Sequence, residues 1–133
     1  MSKPIKITLA VLIGFVVWFI VATLANLVVR ASLPGYVAAE PAAEFTLPML
    51  VARLAVGGLS SLAAGFACAS IASADLAATR FLAIALVLFF LPIHYALWAQ
   101  FPFWYHAVFL LSLAPLVLTG AWALRARGVN SAA

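Results

Sequence analysis

Four stretches of this chain are each long and apolar enough to cross a bilayer, and few folds remain open to such a chain. They cover residues 5–29, 48–74, 77–99 and 103–124. A spanning helix needs about 20 consecutive, mostly apolar residues. Inside lipid every backbone N–H and C=O must be bonded within the protein, a condition a helix meets by itself. The expected fold class is therefore all-α: an integral membrane four-helix bundle forming a single transmembrane domain over 1–133. Only 8% of the residues are charged and 68% are hydrophobic, against about a quarter charged in soluble domains. So few polar groups could not cover a surface in water, and little chain is left over for a soluble domain.

The ends of the runs carry recognisable signals. A basic start before run one resembles a signal peptide, but signal cores are about 7–15 residues long and end at small residues. Run one is longer and ends in Val28-Val29-Arg30, so an uncleaved helix is expected. The connection 30–47 holds Pro34-Gly35 and Pro41, which break helices, together with Glu40 and Glu44. Pro48 suits a first helical turn, and Asp75 suits the N-cap of run three. The two later links are short, which makes neighbouring helices antiparallel and the bundle up-down-up-down. Lys3, Lys6, Arg80, Arg125 and Arg127 then fall on one side and Arg30 alone on the other. Positive charge collects in the cytoplasm, so both termini are expected there. Compactness and an Ala-rich composition suggest the inner (cytoplasmic) membrane of a bacterium as the setting of this multi-pass protein.

The same scatter of basic residues argues against nucleic acid as a partner; membrane lipid is the expected one. A single cysteine, Cys68, gives no disulfide framework and reads as a small apolar packing residue. Run two carries a ladder of small residues at four-residue spacing: Gly57, Ser61, Gly65 and Ala69. Such ladders let membrane helices approach closely. The ladder would pack within the chain, or else form a face for a homo-oligomer or a partner membrane protein.

Arg53 is the one formally charged residue inside any run. A charge at membrane depth is costly and usually faces a protein interior or watery cavity with a partner. Arg53 lies at about the same depth as Asn26, His94 and His106, if the runs are in register, with Glu40 and Glu44 just above. Its plain alternative is to snorkel into the headgroups on its long stem. The functional expectation is a pocket for a small anionic or lipid-like ligand on the outer side. Arg53 would be its anchor, Asn26, His94, His106 and Tyr95 its hydrogen-bonding walls, and Glu40 or Glu44 the counter-charge when empty. One alternative is a structural or interaction subunit of a larger membrane complex, without a ligand of its own. Another is a bis-histidine haem or metal protein, with His94 and His106 as ligands from antiparallel neighbours. The first reading calls for no cofactor and no metal. No nucleophile–base pair, CxxC, HExxH or phosphate loop points to an enzyme. Proton-coupled export of the small multidrug type needs a glutamate in the first helix, and run one has none.

Overall fold

The computed structural model describes residues 1–132, with side chains through Gly128. It contains α1 (Lys3–Ser32), a single-turn α2 (Tyr36–Ala39), α3 (Leu47–Ile71), α4 (Leu76–Ala96) and α5 (Phe103–Ala132), and no strand among the described residues. Four of these helices, all but α2, are long and apolar enough to cross a membrane.

The helix ends depart from the expected ones in ways the backbone explains. The second run stops at Ile71 rather than at 74, because Ser73 and Ala74 adopt left-handed conformations (φ 53° and 61°) that reverse the chain. Asp75 then caps α4, its Oδ1 accepting the backbone N–H of Ala77 at 2.8 Å. The long connection is not all loop: Gly35, at φ 79°, turns the chain so that α2 begins at Tyr36. Both α4 and α5 continue through their internal prolines, Pro92 and Pro115. At its far end α5 runs on past Leu124, through Arg125 and Arg127.

Contacts at the two ends fix the helix directions. Lys3 at the start of α1 pairs with Asp75 at 3.3 Å, and Lys6 donates to the Ser73 hydroxyl. Arg125, late in α5, donates to the Ala74 carbonyl. The start of α1, the end of α3, the start of α4 and the late turns of α5 therefore meet at one end, the termini end. The opposite end, under the long connection, gathers Asn26, Tyr36, Arg53, His94 and His106. The four long helices thus alternate in direction.

Helix α3 packs most extensively against α1 and α5, and α4 closes the ring between those two. The two sides of the bundle are held differently. Between α3 and α5 the backbones touch: a Cβ on Gly65 would run into the Val117 carbonyl, and one on Gly120 into the Leu62 carbonyl. Between α1 and α4 rings fill the space, with Trp18 and Phe90 centroids 4.7 Å apart and Phe15 and Phe89 5.3 Å apart. The small-residue ladder lies within the chain: Gly57, Ser61, Gly65 and Ala69 are all buried. Ser61 accepts from Trp18 Nε1 at 3.1 Å and donates to the Gly57 carbonyl at 2.7 Å. Inside lipid apolar burial would drive little association, and close packing and interhelical hydrogen bonds of this kind would hold the helices together.

Candidate ligand-binding site

Arg53 sits on the second turn of α3, and its stem carries the guanidinium toward the gap between helices. Three elements meet it there. Nη1 donates to the Tyr36 hydroxyl of α2 at 2.9 Å, and Nε donates to the Tyr105 hydroxyl of α5 at 3.3 Å. Tyr36 in turn donates to Asn26 Oδ1 of α1 at 3.1 Å. The guanidinium also lies over the Phe45 ring, 4.7 Å from its centroid, and 5.7 Å from that of Phe101. Cation–π contacts of this kind contribute about 0.5–2 kcal/mol each, more when water is excluded. Arg53 is thus held inside the bundle and does not snorkel out of it.

No carboxylate joins this group among the described residues. Glu40, expected as one possible counter-charge, pairs with Arg30 at 3.3 Å. Glu44, the other, is exposed and makes no ion pair among the described residues. The reason is α2, whose turn carries the Glu40 carboxylate back toward the end of α1. A guanidinium offers five N–H donors; Tyr36 and Tyr105 engage two, and the other three have no protein acceptor among the described residues.

Those donors border a cleft of about 330 Å³. Asn26, Arg53, His94 and Tyr105 bring polar atoms to it, while Trp18, Phe90 and Phe109 form its apolar depth. Gly57 makes room for this arrangement, because a Cβ there would stand 2.8 Å from the Phe109 ring. The Phe109 ring supports both Phe90, at 5.0 Å, and His94, at 4.5 Å. Thr23 and Ile93, both exposed, lie at the rim between α1 and α4.

The two histidines meet each other. His94 Nδ1 and His106 Nδ1 are 2.8 Å apart and buried. One must donate and the other accept, so the neutral rings hold opposite tautomers at this contact. His106 is also stacked on Trp98 at 4.9 Å, and its Nε2 is buried with no partner. His106 therefore stands behind His94 and does not line the cleft, as had been expected of it. The two Nδ1 atoms, as placed, leave no room for an iron between them. Metal–imidazole bonds run about 2.0–2.1 Å, so an iron between opposed nitrogens needs roughly twice that separation, well above the observed contact. No group of three or more His, Cys, Asp or Glu gathers for a metal among the described residues.

Tyr95 needs the clearest correction. It was expected to form a wall of the pocket, yet it is 84% exposed. One residue along a helix turns the side chain by about 100°, so the burial of His94 sends its neighbour outward. Tyr36 and Tyr105, absent from the expected pocket, are the buried hydroxyls that hold Arg53. Tyr105 shares a face of α5 with Phe109, four residues on, and that spacing could have marked it as inward-facing.

Comparison with protein-family models, curated proteins and solved structures gave no match to this chain.

Proposed function

We propose that this chain is a multi-pass membrane protein that binds a small anionic or lipid-like ligand in the Arg53 cleft. The observation that carries this is a half-buried guanidinium with aromatic and hydroxyl partners but no acid among the described residues. Charges withdrawn from water are normally paired, and here the donors without a protein acceptor border an open cleft. Arginine suits this role because its planar fork grips carboxylates and phosphates with two parallel hydrogen bonds. The excess of basic residues at the termini end favours a cytoplasmic location for that end. In a bacterial inner membrane the cleft would then face the periplasmic side.

The test uses purified protein in zwitterionic nanodiscs, titrated with hexanoate, hexyl phosphate and hexyltrimethylammonium. Binding is read from the fluorescence of Trp18, in a variant whose other three tryptophans are replaced by phenylalanine. The anions are expected to bind and the cation not. Arg53→Gln is expected to weaken anion binding about ten- to a hundredfold, the equivalent of one lost charge-assisted hydrogen bond of ~1.5–3 kcal/mol. Equal binding of anion and cation, or an unaffected R53Q, would sink the proposal. The three donors would equally suit a carboxylate on a partner helix. A complex with another membrane protein that R53Q dissolves, with no anion bound by the isolated chain, would make this an interaction subunit instead.

A further inference from the structure

Resting on the anion-binding reading, we infer that the ligand is a free fatty acid. Its carboxylate is held by Arg53, and its acyl chain lies in a groove along α1. A shallow, open groove runs along the exposed outer face of α1. It is lined by Phe15, Val16, Phe19, Ile20, Thr23 and Leu24. Phe19 and Thr23 also line the Arg53 cleft, so the two spaces adjoin at these residues.

The chemistry divides sharply along this path. Asn26, Arg53, Tyr105 and His94 gather at the long-connection end. Below Thr23 the lining is wholly apolar. A ligand that follows the path has one compact anionic head and one hydrocarbon tail. From Asn26 to Phe15 is eleven residues, or ~16 Å at 1.5 Å per residue, enough to take much of a long acyl chain. The groove is built from one helix, and Phe89 of α4 packs edge-on against its Phe15 and Phe19.

Depth favours a carboxylate over the phosphate of a membrane phospholipid. Arg53 lies six residues into α3, ~9 Å below its first residue at the same rise. A phospholipid phosphate stays at headgroup level, tied to glycerol and a second chain. A fatty-acid carboxylate can sink to the guanidinium. The donor set agrees: three arginine N–H groups remain, and the Tyr105 hydroxyl accepts from Arg53 with its own proton uncommitted among the described residues.

The test uses palmitate carrying a diazirine at the terminal carbon, with the protein in zwitterionic nanodiscs. After illumination the label is mapped by peptide mass spectrometry. Label is expected to concentrate on α1 between Phe15 and Leu24. Unlabelled palmitate should compete it away, and dioleoyl phosphatidylglycerol should not. R53Q should lower the competed label at least tenfold, while Arg53→Lys, which keeps the charge, should retain part of it. Ile20→Trp fills the groove from a position that is 53% exposed, so the core is undisturbed. It should weaken palmitate binding several-fold and leave hexanoate binding unchanged. Label spread evenly over all four helices, with hexanoate still bound through Arg53, would overturn the acyl path and leave the anion site standing. Equal competition by phosphatidylglycerol would overturn the single-chain assignment. If neither palmitate nor hexanoate binding depends on Arg53, both readings fall.

Discussion

Adding one methyl group at Gly65 should damage this protein far more than adding it seven residues earlier. At Gly65 the new Cβ would collide with the carbonyl of Val117 and crowd its Cα, which are backbone atoms of α5 that no rotamer change can move. Non-bonded carbons settle at about 3.5–4.0 Å, so α5 would have to retreat by more than an ångström. A gap of about 0.5–1 Å already forfeits a quarter to a half of the dispersion well for each facing pair. The buried Leu113, Val117 and Ala121 of α5 would all feel it. Overpacking of this kind costs about 1–3 kcal/mol and occasionally more, so Gly65→Ala is placed near the upper end. The control is Gly58→Ala on the same helix. A Cβ at Gly58 meets only the end of the Leu116 side chain, at 3.4 Å, an ordinary contact with a flexible group. There the gain in helix propensity, about 0.5–1 kcal/mol, should leave stability unchanged or raised. The assay is reversible unfolding in bicelles, with folded fraction followed by tryptophan fluorescence. Gly120→Ala should resemble G65A, and the double variant should cost less than the sum, because one retreat of α5 relieves both collisions. If G65A and G58A unfold alike, the two backbones are not in contact and the packing described above is wrong.

The remaining expectations concern the histidine pair and the turn at the termini end. His106→Leu leaves His94 Nδ1 buried without its partner, a loss of about 1–3 kcal/mol. The double variant His94→Phe, His106→Leu removes both polar groups, so it should be the more stable of the two in the same unfolding assay. The Asp75 carboxyl is held below the usual carboxylate range, first by the Ala77 N–H and then by Lys3 and Arg125. A lowered folded-state pKa adds stability above the unfolded value of about 3.9 and loses it as pH falls through the lower folded value. Melting temperature should therefore drop on acidification through that window in the native protein, and drop less in Asp75→Ala. A parallel fall in both would show that Asp75 is not the group responsible.

How far the sequence could be read depended on which coordinate was needed. Hydropathy locates a residue along the membrane normal, so the four runs and the shared depth of Arg53, Asn26 and His94 were legible. It says little about rotation around a helix axis. Tyr95 and His94 are neighbours at one depth, yet one faces out and the other in. Tyr36 was hidden by a different effect. A four-residue helix launched from a left-handed glycine has too few residues to show a period, and it alone brings the Tyr36 hydroxyl to Arg53. Trp18, Phe90 and Phe109 looked like undifferentiated apolar residues, because nothing in their local pattern separates a cavity wall from packed core.

The contact between His94 and His106 has a consequence for proton movement. Of the four ring nitrogens, the two Nδ1 atoms face each other and His106 Nε2 is sealed. His94 lines the cleft, and its Nε2 is the ring nitrogen left outside the contact and not sealed. The pair is therefore a wire with one open end. A proton that enters from the cleft at His94 can pass to His106 Nδ1 across the 2.8 Å link, while the sealed His106 Nε2 takes no part. Anything seated against Arg53 would cork that opening. The two histidine rings should then keep their ring-nitrogen protons against exchange with solvent for longer when the cleft is filled than when it stands empty.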